Sequence, residues 1–360
     1  MISHPAHFHM FRYTIENLNN DGHQVVVVIR PKDVLESLCQ NAGMPYLKVK
    51  DRPSKGGLLR LGVSLIGKTK ETWKIVRKEK PDLLIGSDGV LAYVGLLVGK
   101  PSFECYEDDA EEVALYARMF FPFYTGLICP ECCSAWKWDR KKTGYQSYHE
   151  LGYLHPNQFT PDKLKVEQYG IDTSKPYFLV RFAKLAAYHD VGVRGINSDI
   201  AKRMVDLLSP YGAIYITSER QLEPQFEQYR IKINPLDMHH VMAFSSLYIG
   251  DSQTMAAEAG VLGIPFVRFN DFVGRLSYLN ELENVYHLGF GHKTNDVEGF
   301  FNSIQKWLDT PDRKAVCADR RQKMLSEKID YAQFLTWFIE NYPESQKIMR
   351  ENPGYQFRFK

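Results

Sequence analysis

The sequence predicts a two-domain α/β protein with parallel sheets, and three observations support this fold class. Short runs of β-branched and aromatic residues alternate with longer amphipathic stretches, which is typical of repeated βα units. This rhythm is interrupted by an aromatic and turn-rich region at 134–161 and then starts again, which predicts a second unit of the same kind. The chain has 360 residues, which is long for a single core and sufficient for two domains.

In the first half, the run of valines at 24–29 indicates a buried strand, because strands covered on both faces are continuously apolar. A helix at 32–41 is closed by Gly43, and a longer helix follows at 59–78. The remaining predicted elements of this half are strands at 81–86, 101–104 and 126–129 and a small-residue helix at 89–98.

The second half repeats the pattern and ends in a helical region. Predicted strands lie at 177–181, 213–217, 247–250 and 265–268, with helices at 197–209, 238–244 and 254–262. Residues 297–342 are predicted to be helical almost throughout. We therefore expect two facing Rossmann-like domains at 1–157 and 158–330, with a C-terminal helix and tail at 331–360 that could pack back on the first domain. In such sheets, ligands bind beyond the carboxyl ends of the strands.

The N-terminus departs from the usual order of a doubly wound domain, which opens with a buried strand. Here the loop-like stretch from Ser3 to His7 comes almost at once, before a helix expected to start near Phe8. The first strand is therefore expected to be missing or very short, as if the numbered chain started late.

Composition and charge exclude several functional classes. Hydrophobic residues make up 44% of the chain and charged residues 24%, the balance of an ordinary soluble protein. A net charge of +2 gives no general attraction to nucleic acid. With no apolar run of membrane-spanning length and no signal peptide, a cytoplasmic location is expected. The ending Phe357–Lys360 is expected to be a loose tail with at most a weak membrane-surface contact.

Six scattered cysteines fit a reducing compartment. Cys129 and Cys132 form a CxxC pattern, which is found in zinc and redox sites. A structural zinc site usually has four ligands, and no second pair follows. Cys129 is therefore expected to end a buried strand, and no metal site is predicted.

The most informative segment runs from Leu247 to Pro265 and reads as strand, polar turn, helix and a Gly-x-Pro exit. Its turn comprises Asp251, Ser252, Gln253 and Thr254, at a helix N-terminus where free N–H groups and the helix dipole favour a phosphate. Glu258 follows about one helical turn later, within reach of ribose hydroxyls. The alternative is a capped helix with a surface glutamate.

This segment resembles the nucleotide-binding motif of GT-B enzymes, notably UDP-N-acetylglucosamine 2-epimerases and lipid-linked N-acetylglucosaminyltransferases. The resemblance implies that Ser252, Gln253 and Thr254 hold a diphosphate and that Glu258 holds the ribose. The epimerases usually have Ser-Gly-Gly at the turn, where this chain has Ser-Gln-Thr.

The whole chain is more similar to a domain-of-unknown-function family of the GT-B superfamily, which implies a fold and a ligand class without a reaction. The matching stretches are 3–7, 149–156, 180–182, 187–190, 217–220 and 250–258.

Further candidates lie at the expected strand ends of the second domain. Arg181 could pair with a diphosphate or with a nearby carboxylate. His189 could act as acid, base or phosphate donor, and Ser218 and Glu219 are candidate donor-side contacts. Two further candidates for contact with the base or ribose are His239 and His240, where the loop from Ile233 leads into the helix at 238–244, although both could simply start the helix.

The first domain is expected to hold the acceptor and the acid–base groups. Candidate catalytic groups are His7, Asp108 and His149, and candidate acceptor-side groups are His4, Asp88, Glu107 and Glu150. The acidic stretch at 104–109 is reminiscent of an Asp-x-Asp metal motif, but the helix dipole alone favours acids there, and GT-B enzymes usually need no metal.

Three hypotheses follow. The first is a glycosyltransferase that uses a nucleotide-diphosphate sugar, expected to be UDP-linked, as substrate, needs no cofactor, and acts on a glycan or lipid-linked acceptor. The second is an epimerase or hydrolase of a UDP-N-acetyl sugar. The third is a non-catalytic binding protein that retains the fold.

Overall fold

The computed structural model describes residues 1–32, 34–49, 58–183 and 195–360. The chain divides into two compact units. Unit 1 comprises Met1–Tyr153 and Lys328–Lys360, and unit 2 comprises Leu154–Glu327. The last thirty or so residues thus belong to unit 1, and the chain passes between units a few residues before each of the expected boundaries.

Unit 1 contains parallel strands with helices between them. Its strands are β1 (Val28–Ile29), β2 (Leu47–Lys48), β3 (Leu84–Gly86), β4 (Ser102–Cys105), β5 (Gly126–Pro130) and β6 (Lys142–Tyr145). Its helices are α1 (Pro5–Asn20), α2 (Leu35–Asn41), α3 (Leu58–Glu79), α4 (Val90–Val98), α5 (Ala114–Phe120) and, at the boundary with unit 2, α6 (Leu151–Leu154).

Unit 2 has the same character. Its strands are β7 (Tyr177–Phe182), β8 (Ala213–Ser218), β9 (Leu247–Gly250), β10 (Phe266–Phe269) and β11 (Gly289–His292). Its helices are α7 (Lys163–Glu167), α8 (Ser198–Leu208), α9 (Met238–Phe244), α10 (Gln253–Leu262), α11 (Ser277–Asn284), α12 (Val297–Asp309) and α13 (Arg313–Glu327). Two more helices, α14 (Tyr331–Glu340) and α15 (Glu344–Glu351), complete unit 1.

The first strand of unit 1 is present in a very short form. Ile2 forms a parallel bridge with Ile29, and its N–H donates to the carbonyl of Val28 at 2.9 Å. On its other side, the N–H of Ser87 donates to the carbonyl of Met1 at 3.3 Å. This short segment therefore lies between β1 and the end of β3. Gly86 is needed at that point, since a Cβ there would lie 2.4 Å from the carbonyl oxygen of Met1.

Several sequence predictions for unit 1 are wrong in detail. The strand expected at 24–29 is reduced to β1, because only Val28 and Ile29 pair with β2. Helix α1 starts at Pro5 rather than near Phe8, so His7 lies inside its first turn. The region at 134–161 was expected to be irregular, yet it contributes β6, which pairs in parallel with β5. By contrast, Cys129 lies buried near the end of β5, which confirms the prediction that it ends a buried strand.

The five strands of unit 2 form one parallel sheet in the order β11-β10-β9-β7-β8. The chain runs outward from β7 to β8 on one side and through β9 to β11 on the other. The order therefore reverses between β7 and β9, and in open α/β sheets the ligand crevice forms beyond the strand ends at this point. The turn at 251–254 follows β9 directly and therefore lies there.

The C-terminal region is helical, as predicted, through α12, α13 and α14. The expected loose tail is wrong: the backbone N–H of Asp330 donates to the carbonyl of Phe359 at 2.7 Å. The Phe359 ring also packs against Phe334 and Trp337, with ring centroids 6.0 Å and 5.4 Å away. Among the residues that the structure describes, none of the helices combines the length and apolar character needed to span a bilayer.

Candidate functional site

Helix α10 of unit 2 begins beyond the end of β9 with a side-chain cap. The Ser252 hydroxyl accepts a hydrogen bond from the N–H of Met255 at 3.4 Å. Gln253 and Thr254 form the first turn, where backbone N–H groups point out of the helix and the dipole is positive. A helix of this length with a small, capped first turn is a suitable anion site.

Glu258 and His239 form a buried pair behind this turn. Glu258 Oε1 lies 2.9 Å from Nε2 of His239, and the two residues are only 5% and 6% exposed. A carboxylate oxygen only accepts, so the imidazole donates from Nε2. The surface glutamate of the alternative interpretation is therefore wrong, although the helix is capped as that alternative expected. His239, on α9, instead fixes the orientation of the carboxylate on α10.

His240 points to a different environment from its neighbour. Its Nδ1 accepts from the N–H of Asp162 at 3.0 Å, and its Nε2 lies 3.4 Å from Nζ of Lys165. Phe159 packs on the ring, with centroids 4.8 Å apart. Burial, followed by the positive charge of Lys165, lowers the pKa of His240. His240 thus joins α7 to α9, and its expected contact with a base or ribose stays a prediction.

Asp251 bonds to protein backbone rather than standing open at the turn. Its Oδ1 accepts from the N–H of Ala183 at 2.6 Å and its Oδ2 from the N–H of Ile196 at 3.3 Å. Burial raises the pKa of this carboxyl to about 6. Asp251 therefore joins the end of β7 to the segment before α8, and its geometry is that of a positioning residue.

Three other predicted residues lie at the ends of β7 and β8. Arg181 pairs with Glu219, which is the carboxylate alternative expected for this arginine. Within the described part of the chain, no hydrogen-bond acceptor lies within reach of the buried Nε of Arg181. The Ser218 hydroxyl donates to the carbonyl of Arg220 at 2.7 Å and so closes the loop after β8. His189 lies outside the described residues.

In unit 1, His4 and His7 lie where α1 follows the short first strand. His4 is the N-cap, and its Nδ1 accepts from the N–H of Ala6 at 3.2 Å. Nδ1 of His7 lies 3.4 Å from the Ser3 hydroxyl, which itself donates to the carbonyl of Ser87 at 2.9 Å. A hydroxyl has one proton to donate, so in this contact His7 is the donor. The second ring nitrogen of His7, Nε2, is then the unprotonated one.

The pKa of His7 supports this neutral form. Burial, followed by the proximity of His4 and His149, lowers its pKa well below the usual range. A neutral imidazole of fixed tautomer can accept a proton, which is the property of a general base.

Glu107 and His149 form a second pair in unit 1. Oε2 of Glu107 lies 3.3 Å from Nδ1 of His149. Burial lowers the pKa of His149 to about 3. Burial, followed by the negative charges of Glu150 and Asp108, raises the pKa of Glu107 well above its ordinary value. Burial thus favours the neutral form of both side chains, and Glu150 is fully buried nearby.

Asp88 stabilises the loop after β3 through its side chain. Its Oδ1 accepts from the N–H of Val90 at 3.3 Å, and its Oδ2 lies 3.1 Å from Nη1 of Arg30. Close by is a residue that the sequence interpretation did not single out as a site residue, Glu104. It is 2% exposed, accepts from the hydroxyl of Tyr116 at 2.6 Å, and has its pKa raised by burial to about 8.

Two further residues were missed. Ser3 orients His7, and Arg220 donates to the carbonyl of Ile196 while its guanidinium lies 5.0 Å from the centroid of the Phe182 ring. The only sequence signal for Ser3 and for Arg220 was a position in a polar stretch at a strand end. Such a position does not specify which residue the side chain contacts.

The family model described as "Protein of unknown function (DUF354)" matches residues 1–333. The chain belongs to this family. No functionally curated protein matches the DUF354 chain significantly.

Solved structures show that this DUF354 chain has the GT-B fold. UDP-GlcNAc 2-epimerase from Neisseria meningitidis, bound to UDP-GlcNAc, is 12% identical with a TM-score of 0.64, covering 96% of this chain and 98% of its own. MurG of Acinetobacter baumannii is 12% identical with a TM-score of 0.57, covering 94% and 98%. Spinosyn forosaminyltransferase SpnP is 14% identical with a TM-score of 0.62, covering 94% and 97%. Identities this low show the fold alone and carry no activity across.

Proposed function

We propose that the protein is a glycosyltransferase that uses a nucleotide-diphosphate sugar, UDP-linked, as donor substrate and needs no further cofactor. The observation that carries this proposal is the buried Glu258–His239 pair directly behind the capped N-terminal turn of α10. A turn of free N–H groups suits a diphosphate, and an oriented carboxylate behind it suits a ribose diol. Solved structures of the same fold include epimerase and MnaA complexes with UDP-GlcNAc and UDP.

Departure of the diphosphate requires positive charge near its oxygens. The dipole of α10 supplies part of this charge. Arg181 at the end of β7 supplies the rest in this proposal, exchanging its ion pair with Glu219 for the diphosphate. A guanidinium matches a phosphate with two parallel hydrogen bonds, which makes the exchange favourable.

His7 takes the proton from the acceptor hydroxyl in this proposal. Its pKa is low enough to keep the ring neutral, and the Ser3–Ser87 contact fixes the proton on Nδ1. The unprotonated Nε2 is then the base. The acceptor is a hydroxyl compound, and a glycan or a lipid-linked sugar is the class we propose.

One observation favours a second candidate function, a UDP-N-acetyl sugar epimerase or hydrolase. Glu107 has its pKa raised well above normal beside His149 and near Glu150. A carboxyl group with a raised pKa can protonate a leaving oxygen, and the neutral imidazole beside it can take a proton from a sugar carbon, so no acceptor is needed.

Calorimetry with UDP-N-acetylglucosamine, UDP-glucose and UDP tests the shared donor site. Binding of UDP that is weakened in a Glu258→Ala variant supports the proposal, and no heat of binding with any of these ligands contradicts it. Incubation with the bound sugar nucleotide alone then separates the candidates. A new sugar isomer or released UDP without acceptor favours the epimerase or hydrolase, whereas unchanged sugar nucleotide favours the transferase.

A further inference from the structure

Helix α3 of unit 1 exposes an apolar and basic stripe that the proposed reaction does not use. Val63, Ile66, Lys70, Lys74 and Arg77 are all exposed, with Val63 at 71% and Ile66 at 70%. Counted from Val63, the other four follow after three, seven, eleven and fourteen residues, which places all five on one face of the helix. The opposite side, at Thr72 and Val76, is buried.

The neighbouring helix α4 continues this surface at its C-terminal end. Leu96 and Leu97 are 66% and 64% exposed, which is unusual for two adjacent leucines. Leu97 and Arg77 line the same surface cavity of about 360 Å³, together with Trp73 and Lys100. The end of α4 therefore lies beside the basic end of the α3 stripe.

Aromatic and apolar side chains of α4, of α5 and of the segment after α5 extend this surface. Tyr93 packs against Phe123 with ring centroids 5.3 Å apart, and its hydroxyl donates to the carbonyl of Met119 at 2.9 Å. Phe123 is 43% exposed and Met119 36%. Exposed apolar groups on three successive segments form a patch rather than single surface residues.

The charges on this patch are mostly positive. Nζ of Lys74 pairs with Glu71 at 2.9 Å, so its charge is partly compensated. The guanidinium of Arg77 lies 5.0 Å from the centroid of the Trp73 ring, and Lys70 lies one turn before Lys74 on the same face. Exposed apolar side chains with lysine and arginine between them match the acyl boundary and the anionic headgroups of a membrane surface.

We propose that this surface docks the protein on an anionic lipid bilayer. Its core, which we call the α3–α4 face, consists of Val63, Ile66, Lys70, Arg77, Leu96 and Leu97. The apolar side chains enter the interfacial layer, while the basic side chains remain at the level of the lipid phosphates. The contact is peripheral and reversible, and it is independent of the nucleotide site of unit 2.

Sedimentation of the full chain with phosphatidylcholine vesicles, with and without phosphatidylglycerol, tests this proposal. The wild-type protein is expected to bind the anionic vesicles and to dissociate in high salt. Leu96→Ser/Leu97→Ser is expected to lose at least about tenfold in vesicle affinity. Lys70→Gln/Arg77→Gln is expected to lose roughly 30-fold on anionic vesicles only.

Matched controls lie on exposed positions of unit 2. Leu164 is 76% exposed and Val285 is 48% exposed. Leu164→Ser/Val285→Ser therefore also replaces two exposed apolar side chains by serine, but outside the α3–α4 face. The charge control is Lys202→Gln/Lys323→Gln, at two exposed lysines. Thermal unfolding of every variant verifies that it folds.

Three outcomes contradict membrane docking. The first is a wild-type protein that stays in the supernatant with both vesicle types. The second is a loss of affinity in the control variants as large as in the α3–α4 variants. The third is self-association in sedimentation velocity that Leu96→Ser/Leu97→Ser abolishes in the absence of lipid binding, which would assign the face to a second copy of the chain.

Discussion

Nε2 of His239 and Oε1 of Glu258 are 2.9 Å apart in the interior of unit 2, and this contact joins α9 to the helix that follows the phosphate-type turn. A histidine that donates to a carboxylate fixes both side chains. The ribose contact proposed for Glu258 therefore depends on His239 as well.

Removal of either partner is expected to weaken UDP binding. Glu258→Gln keeps the shape but loses the charge of the acceptor, and the dissociation constant should rise roughly 10- to 100-fold. His239→Ala removes one hydrogen-bond donor from the buried carboxylate and should cost about 1–3 kcal/mol in the free energy of unfolding. Calorimetry and thermal unfolding measure the two effects. Glu298→Gln, at a side chain 71% exposed, is the control and should change neither.

The tautomer of His7 is expected to control the rate of sugar transfer. His7→Gln should lower kcat by roughly 10²- to 10⁴-fold if the ring is the base. Ser3→Ala frees the Nδ1 proton and should lower kcat by a smaller factor, with the nucleotide KM unchanged. Kinetics at saturating donor measure this. If kcat stays at the wild-type level in both variants, the assignment of His7 is wrong.

The pKa of Glu104 makes the stability of unit 1 dependent on pH. Its pKa is raised from 4.5 to about 8 by burial, so the folded state holds the proton more tightly than the unfolded chain. Stability is therefore lost as the pH rises from about 4.5 to about 8, by an amount on the order of 5 kcal/mol from this group.

Glu104→Gln is expected to remove this loss, because an amide keeps an acceptor for Tyr116 without ionising. Chemical denaturation across this pH range compares the two proteins. A wild-type stability that falls no more than that of Glu104→Gln would contradict the assignment.

Arg268 and Glu283 form a buried ion pair in unit 2, with Nε and Oε1 at 2.5 Å. Arg268→Met alone leaves a buried carboxylate and should destabilise by about 3–5 kcal/mol. The double variant Arg268→Met/Glu283→Leu should recover most of that loss, since an apolar pair of similar volume needs no compensation. Thermal unfolding measures both variants, and equal destabilisation of the single and double variants would contradict this expectation.

The parallel sheets and the capped turn were predictable from the sequence because both depend on local pattern. The apolar run at 247–249 and the turn residues after it specify β9 and the start of α10 without reference to the rest of the chain. Helices α12 to α14 follow similarly from their periodicity.

The strand pairings of unit 1 were less predictable. The apolar run at 24–29 predicts a longer strand than β1, but pairing ends where β2 ends, and β2 contains only Leu47 and Lys48. Strand β6 is rich in polar residues and glycine, so its sequence does not indicate a strand, and its partner β5 specifies it.

Side-chain partners were the least predictable part of the site. His239 and His240 are adjacent in sequence, yet one bonds to Glu258 and the other to α7. Asp251 and Ser252 are also adjacent, yet one holds backbone around β7 and the other caps α10. Long-range contacts decide these roles, and a local pattern carries no information on them.

A crystal structure of the protein soaked with UDP tests the central claim most directly. We predict diphosphate density at the N–H groups of Gln253 and Thr254, with the ribose hydroxyls within hydrogen-bond distance of Glu258. Density for UDP elsewhere on the protein, or an empty α10 turn at saturating UDP, would contradict it.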